Sequence, residues 1–185
     1  MIPVANITIT KALIILNELD NDDLNWVTQV GRKKKIAPDE ILIYEGEKIS
    51  ALYIILSGSF RVLIKALANK DLARISTGEI VGEISFLDPR PPLATVKAMT
   101  NSEVLALPRL QLNAKLQKNM GFASRFYRGI SLCLANRIHN TVRRLGYDID
   151  IQEYEVEYEV LNPNLQDNLA LAQAKFDWLI ANSNY

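Results

Sequence analysis

Cysteine and histidine are almost absent from this sequence of 185 residues, which contains one of each, Cys133 and His139. A single cysteine forms no disulfide within the chain, and this is typical of proteins in reducing compartments. Metal sites usually combine several His, Cys and acidic ligands, so the sequence predicts no metal site. A nucleophilic triad is also disfavoured, because His139 is expected on a helix without a catalytic partner.

Long apolar runs are absent as well. No stretch approaches the ~18 apolar residues that cross a bilayer, and no basic segment precedes an apolar one at the N-terminus. We therefore expect a cytoplasmic protein with no membrane partner. Because 49% of the residues are hydrophobic, the chain can still bury a substantial core.

The net charge of zero hides a strong asymmetry along the chain. Residues 1–147 contain 20 Lys and Arg against 13 Asp and Glu, whereas residues 148–185 contain one Lys against eight acids. The acidic C-terminal part would repel nucleic-acid phosphates, so we expect no DNA partner. It could instead attract the basic part of its own chain or bind a protein partner.

Short β-type runs alternate with turn residues through the middle of the chain. This spacing predicts a closed jelly-roll β-barrel over about residues 32–108, so the expected fold class is mainly β with flanking helices. The basic residues 31–35 fit an edge strand protected by lysines better than a nucleic-acid patch, because no aromatic residues are interleaved. The other runs cover residues 40–44, 51–56, 60–66, 72–75, 80–81, 95–99 and 103–108.

Helical periodicity flanks the predicted barrel on both sides. Residues 9–30 predict two N-terminal helices, and Asp22 or Asp23 would suit the N-cap of the second. A long amphipathic helix is predicted at about residues 120–146, which ends a first domain of residues 1–146. Its stripe is too apolar to be left wholly in water, so we expect a homodimer through this helix. The stripe residues are Phe126, Ile130, Leu134 and Ile138.

The acidic extension, residues 147–185, contains two further patterns. Residues 153–160 alternate between Glu and apolar residues, which predicts a strand with one charged face; a solvated, disordered run is the alternative. Residues 164–182 carry a second helical stripe that includes Leu169, Phe176 and Leu179. We expect this terminal helix to cover the apolar face of the strand, because a lone strand is not stable in water.

The stretch that says most about function is residues 78–98, where two β-type runs flank a short helical turn and a loop. Gly82 precedes the turn and allows several backbone N–H groups to converge, which favours an anion. Glu83 is unsuited to a phosphate but can accept hydrogen bonds from sugar hydroxyls. The candidate ligand-binding residues are Gly82, Glu83, Ile84, Ser85, Arg90, Leu93, Ala94 and Thr95.

This stretch resembles the phosphate-binding cassette of cyclic-nucleotide-binding domains, the barrels of the catabolite activator protein and of the regulatory subunits of cyclic-AMP-dependent kinase. The matching residues are 82–87 and 94–96, and residues 41–47 and 52–59 are similar to two strand-and-turn motifs of that family. The resemblance covers about residues 11–146. It implies a dimer formed by the long helix and a cyclic nucleotide or another small anion as ligand, with no other cofactor. Nothing in the extension resembles a helix-turn-helix.

One departure from the family pattern bears directly on the ligand. The family's glutamate, which binds the ribose 2′-hydroxyl, corresponds to Glu83, but its phosphate-pairing arginine corresponds to Pro92. The next position, which also holds the nucleotide, is Leu93. Arg90 is the nearest cation and is either presented to the ligand or solvated in the loop. We expect weak or no binding of cyclic AMP, since charged hydrogen bonds contribute ~1.5–3 kcal/mol each.

Three functions are compatible with these patterns. A ligand-sensing regulatory module ranks first, because the cassette could bind a ligand and the long helix could transmit its occupancy. A ligand-free dimeric interaction module of the same fold ranks second, because Pro92 removes the main phosphate contact. A jelly-roll enzyme is the third alternative and is disfavoured, because metal-dependent barrels need several His ligands.

Overall fold

The computed structural model describes residues 11–65, 70–88, 90–146 and 168–185. It confirms the predicted class, a two-sheet β-barrel with flanking helices. The predicted strand at residues 153–160 lies outside the described residues. The strands are β1 (Arg32–Ile36), β2 (Ile41–Ile43), β3 (Ala51–Ser57), β4 (Ser59–Ile64), β5 (Lys70–Ser76), β6 (Ile80–Val81), β7 (Thr95–Ala98) and β8 (Ser102–Pro108). The helices are α1 (Lys11–Glu18), α2 (Asn21–Val30), α3 (Ile84–Leu87), α4 (Arg109–Lys118), α5 (Met120–Gly146) and α6 (Leu169–Asn182).

The strands form two antiparallel sheets of four strands each. Sheet A has the order β1-β8-β3-β6, and sheet B has the order β2-β7-β4-β5. The basic strand β1 lies at the edge of sheet A, as its sequence predicts. Strands β6 and β7 belong to different sheets, so the cassette between them bridges the two halves of the barrel.

Strand β3 is buried on both of its faces. Tyr53 and Ile55 point into the barrel interior, where they pack with Phe60, whereas Leu52 and Ile54 belong to the core beneath the helices. Side chains alternate between the faces of a strand, so burial on both faces gives a continuous apolar run and no apolar–polar alternation. The sequence of β3 therefore reflects two cores, one inside the barrel and one outside it.

Several turns use a left-handed backbone conformation, and two of them show what it requires. Gly58, between β3 and β4, has φ 92°, and a Cβ atom built there would lie 2.2 Å from Ser102 Oγ. Only glycine fits this position without displacing β8. Asp39, before β2, has φ 67°, and its carboxylate pairs with Lys97 Nζ at 2.8 Å.

The apolar stripe of α5 divides between the core and the surface. Phe126 and Ile130 are buried in the core formed with α1 and the outer face of sheet A, Leu134 is partly buried, and Ile138 is exposed. The prediction of a dimer surface is therefore wrong for Phe126 and Ile130, because elements of the same chain already cover them. The dimer through α5 stays a prediction, which Ile138 and the partly buried Leu134 could still support.

A charged cluster ties α5 to the turn between α1 and α2. Arg125 donates from Nε and Nη2 to the two carboxylate oxygens of the buried Asp23, at 2.6 and 3.0 Å, and also contacts Asp20 at 2.7 Å. Asp20 is the N-cap of α2. The predicted N-caps, Asp22 and Asp23, therefore lie two and three residues too late. The carboxylates of Asp20 and Asp23 each accept the other's backbone N–H, which forms a capping box.

Helix α6 packs against α1 and joins the core outside the barrel. Phe176 and Leu179 are buried there. Lys175 extends along the same surface, and its Nζ donates to the main-chain carbonyls of Leu16 and Leu19 at 3.0 and 2.7 Å. These carbonyls belong to the last turn of α1 and the residue after it, so Lys175 satisfies groups that a helix end leaves unpaired.

The residues after α6 cover part of the edge of sheet A. The Asn184 carbonyl accepts the Lys33 backbone N–H at 2.7 Å, in a short parallel bridge with β1. The Tyr185 ring lies below the ammonium groups of Lys33 and Lys35, and its hydroxyl donates to Glu103 at 2.5 Å. Residues 168–185 of the extension thus contribute to the same fold as the barrel. Among the described helices, none has the length and apolar character needed to cross a membrane.

Candidate functional site

The cassette has the predicted order of strand, helical turn, loop and strand. It begins where β6 ends, and Gly82 turns the chain with φ 90°. A Cβ atom at this position would lie 3.1 Å from the Ala51 carbonyl oxygen, so a side chain would meet both strain and a neighbouring strand. The one-turn helix α3 follows directly after Glu83.

Glu83 and Ser85 are buried, although both are polar. Their neighbour Ile84 is exposed, so this single helical turn presents one side to the protein and another to water. A buried carboxylate is a strong hydrogen-bond acceptor, so Glu83 suits a ligand hydroxyl in the position that the resemblance implies.

Arg90 is held at the protein surface by Asp88. Its Nε donates to Asp88 Oδ2 at 2.7 Å, its backbone N–H donates to Oδ1 at 3.0 Å, and a second guanidinium nitrogen completes the ion pair. The guanidinium lowers the pKa of Asp88, and Asp88 raises the pKa of Arg90. With 84% of its side chain exposed, Arg90 adopts the solvated-loop arrangement, the second of the two that the sequence left open.

Pro92 and Thr95 connect the cassette to the turn after β2. The Pro92 carbonyl accepts the Gly46 N–H at 2.9 Å, and the Thr95 hydroxyl accepts the Glu45 N–H at 3.2 Å. Leu93 is 84% exposed, whereas Ala94 is partly buried. In this arrangement Pro92 and Thr95 bind the protein's own backbone, and neither Pro92 nor Leu93 supplies a cation.

Two further cations lie near the cassette, on the outer face of sheet B. Arg61 of β4 and Lys97 of β7 are opposite each other in the register, and both pair with Asp39, at 3.5 and 2.8 Å. Their neighbours in sequence, Phe60 and Val96, point into the barrel. Since side chains alternate along a strand, Arg61 and Lys97 point away from the interior.

Arg109 is a cassette contact that the sequence did not predict. Its Nη2 donates to the Ser85 carbonyl at 2.5 Å, and its guanidinium carbon lies 5.1 Å from the centre of the Phe86 ring. Phe86 in turn lies edge-on to Phe126 of α5, with ring centres 6.3 Å apart. The cassette helix therefore contacts both α4 and α5. No motif marks Arg109, because this contact depends on the folded arrangement of distant segments.

Among the described residues, neither the apolar cavity nor any group of possible metal ligands forms a second binding site. A small apolar cavity of about 20 Å³ lies between the helices and sheet A, lined by residues such as Leu52, Leu112 and Phe122. This volume is close to that of a single water molecule and far below that of a nucleotide. In the described parts of the chain, no group of three or more His, Cys, Asp or Glu residues could hold a metal ion.

A family model described as "Cyclic nucleotide-binding domain" matches residues 33–119. The matched region contains β1 apart from its first residue, β2 to β8, the cassette and helix α4. It therefore includes the part of the barrel in which the sequence motifs occur.

Two curated relatives match over much of the chain. The "cAMP-activated global transcriptional regulator CRP" of Escherichia coli is 29% identical over 126 residues, which are 66% of this chain and 58% of that protein. "Lysophospholipase nte1" of Neosartorya fischeri is 25% identical over 148 residues, 77% of this chain and 9% of that protein. The chain thus spans less than two thirds of the length of either relative.

The fold is also similar to that of a solved cyclic nucleotide-binding domain from Methylobacillus flagellatus. The TM-score is 0.65 at 20% identity, and the match covers 76% of this chain and 85% of that one. The family model over residues 33–119, together with the two-sheet barrel and the cassette between β6 and β7, shows that this part of the chain is a cyclic nucleotide-binding domain.

Proposed function

We propose that this chain is a cytoplasmic regulatory module, without enzymatic activity of its own, that senses a small hydroxyl-bearing ligand at the cassette. Ordinary cyclic AMP would bind weakly or not at all. The observation that carries this proposal is the position of the cations: Pro92 stands where a phosphate-pairing arginine is expected, and Asp88 holds Arg90 at the surface.

The chemistry of the cassette favours hydroxyl groups over a phosphate. Glu83 is buried at the start of α3, next to the turn made by Gly82. A carboxylate there attracts hydroxyl donors and repels an anion unless a cation intervenes. A bidentate arginine–phosphate contact contains two charged hydrogen bonds, so its loss would cost ~3–6 kcal/mol of the ~8 kcal/mol that micromolar binding represents.

The contacts of Phe86 suggest how occupancy would reach the rest of the chain. A ligand at Glu83 would change the position of α3, and α3 contacts α5 through Phe86 and Phe126. Arg109 would couple the same movement to α4, because it holds the Ser85 carbonyl. A protein partner would then recognise the shifted positions of α4 and α5.

A ligand-free interaction module remains the second candidate. It is favoured by the apolar side chains that the cassette exposes, since exposed apolar groups in one place often mark protein contacts. Leu93 is the most exposed of them, and Ile84 and Leu87 lie on the adjoining helical turn. In that case the cassette would be a docking element and Glu83 would serve only the fold.

A thermal-shift panel distinguishes the two candidates. The wild type, Glu83→Gln and Arg90→Ala would be melted with cyclic AMP, cyclic GMP, AMP, adenosine and free ribose at about 1 mM. A sensor of hydroxyl-bearing ligands should be stabilised by a neutral compound in the wild type and in Arg90→Ala, but not in Glu83→Gln. Stabilisation by micromolar cyclic AMP would contradict the proposal, and no stabilisation by any compound would favour the interaction module.

A further inference from the structure

The outer edge of strand β1 carries backbone groups that no other strand of sheet A uses. β1 is the first strand in the order of sheet A, and β8 pairs with its inner side. The Lys33 N–H points outward, because it donates to the Asn184 carbonyl. Backbone groups alternate in direction along a strand, so the Lys33 carbonyl and both backbone groups of Lys35 point outward as well. We call these four groups the β1 edge.

The residues after α6 occupy only part of the β1 edge. Asn184 lies beside Arg32 in a parallel bridge, and its carbonyl accepts the Lys33 N–H at 2.7 Å. In a parallel ladder, the residue two positions further along would donate to the Lys33 carbonyl and accept from the Lys35 N–H. Among the described residues, none forms these hydrogen bonds. The β1 edge can therefore pair with a longer strand than the one that it now holds.

Tyr185 shows which side chain the β1 edge accepts. Its ring centre lies 5.6 Å from Lys33 Nζ and 5.4 Å from Lys35 Nζ. Its hydroxyl donates to Glu103, and this hydrogen bond raises the pKa of Tyr185, so the phenol stays protonated at neutral pH. Tyr185 is nevertheless 68% exposed, and cation–π contacts at exposed sites are weak. A tyrosine of another chain that reaches this position can therefore displace it.

The charge of β1 favours an acidic peptide. Residues 32–35 are Arg-Lys-Lys-Lys, and the Arg32 guanidinium donates to two main-chain carbonyls nearby. Within the described parts of the chain, none of the three lysines forms an ion pair. Lysines on an edge repel a second copy of the same edge, whereas they attract carboxylates. In the parallel register, acidic residues directly after the tyrosine would lie beside Lys34 and Lys35.

We propose that the β1 edge binds an extended acidic peptide of a protein partner by parallel strand addition, and that Asn184 and Tyr185 block part of this site. Main-chain hydrogen bonds supply affinity in this mode, and side-chain contacts supply specificity. The internal contact competes with the peptide, because its attachment to α6 keeps Tyr185 at a high local concentration. β1 and β6 lie at opposite edges of sheet A, so the site is independent of the cassette and its ligand.

Fluorescence polarisation of a labelled peptide, Ser-Asn-Tyr-Glu-Glu-Val, tests this docking on the full chain. The wild type should bind it with a Kd of about 100 µM or above. Tyr185→Ala removes the internal competitor and should bind it at least fivefold more tightly. Peptides with Ala in place of Tyr, or with Gln in place of both Glu, should each bind Tyr185→Ala at least fivefold more weakly. Raising NaCl from about 50 to 500 mM should also weaken binding.

Two N-methylated peptides separate strand addition from simple charge attraction. N-methylation of the first Glu removes the N–H that would donate to the Lys33 carbonyl and should weaken binding to Tyr185→Ala at least tenfold. N-methylation of the Tyr blocks an N–H that points away from β1, so this matched control should lose less than threefold. Tyr185→Ala/Lys35→Ala should bind more weakly than Tyr185→Ala. Tyr185→Ala/Lys118→Ala removes an exposed lysine of α4 and should bind as tightly as Tyr185→Ala.

Four results would overturn the proposal. The first is no binding of the peptide to Tyr185→Ala at 500 µM, or binding no tighter than that of the wild type. Equal losses with the two N-methylated peptides would reduce the contact to charge attraction. Tighter binding of a labelled 12-nucleotide single-stranded DNA than of the peptide would identify a nucleic-acid surface instead. A wild-type dimer in sedimentation that Tyr185→Ala abolishes would mean that Asn184 and Tyr185 pair between copies.

Discussion

Replacing Arg125 of α5 with Met should destabilise the fold more than replacing the neighbouring Arg128 with Met. The guanidinium makes two hydrogen bonds to Asp23, whose carboxylate is buried, and removal of one partner leaves that carboxylate without its main counter-charge. Breaking a buried ion pair in this way costs ~3–5 kcal/mol. Because 33% of the Arg125 side chain is exposed, water would reach the vacated position, and we expect about 2–3 kcal/mol.

The pH dependence should identify the cause of this loss. Burial of Asp23 opposes its ionisation, but hydrogen bonds from Arg125 and from the Asp20 backbone together hold its pKa below the ordinary 3.8. The pair therefore stabilises the fold above about pH 4, and this contribution is lost as the pH falls through the lowered pKa. Without Arg125, burial would raise the pKa of Asp23, so the deficit of the variant should shrink between pH 6 and pH 3.

Thermal and urea unfolding of three variants would measure these effects. For a chain of this size, 2–3 kcal/mol corresponds to a fall of roughly 4–12 °C in Tm. Arg128→Met is the matched control: Arg128 pairs with Glu18 one turn further along α5, but 64% of its side chain is exposed, so we expect less than ~1 kcal/mol. Asp23→Asn/Arg125→Met should recover part of the loss. Equal effects of the two arginine variants, or a deficit constant with pH, would refute the reasoning.

Two further predictions concern the extension and a turn. Removing the residues after Asp148 should lower the Tm and increase dye binding to apolar surface, because Phe176 and Leu179 contribute ~1.5–3 kcal/mol each by burial; an unchanged melting curve would contradict the packing of α6. Gly58→Ala should destabilise the barrel more than Gly46→Ala, since both residues have positive φ but only at Gly58 would a Cβ meet another atom, Ser102 Oγ at 2.2 Å. Urea unfolding of both variants measures the difference in the free energy of unfolding. Equal losses would mean that strand β8 shifts to accommodate the added Cβ with no loss of stability.

The barrel and the order of the cassette could be predicted because their signals are local. Turn residues such as Gly58 and Gly82 impose backbone conformations that neighbouring sequence alone can indicate. The basic residues of β1 predicted an edge strand for a similar reason, since lysines discourage pairing with another chain. Local chemistry thus determines where the strands begin and end.

Contacts between distant segments could not be predicted in the same way. Helical periodicity indicates that one face of α5 is buried, but it does not say whether the same chain or a second one covers Phe126. The partners of Arg125 lie about one hundred residues earlier in the sequence, and nothing near Arg109 marks its contact with Ser85. The sequence allowed Arg90 either to face the ligand or to be solvated in the loop. The hydrogen bond from its Nε to Asp88 holds it in the solvated arrangement.

Calorimetric titration of cyclic AMP into the wild type and into Pro92→Arg/Leu93→Ala tests the proposed ligand preference most directly. The wild type should give no saturable heat below about 100 µM, because Pro92 stands where the phosphate-pairing arginine is expected and Arg90 is paired with Asp88. The double variant should bind at least ~100-fold more tightly, since two restored charged hydrogen bonds are worth ~3–6 kcal/mol. A submicromolar Kd for the wild type, abolished by Glu83→Gln and unchanged in Arg90→Ala, would contradict the account.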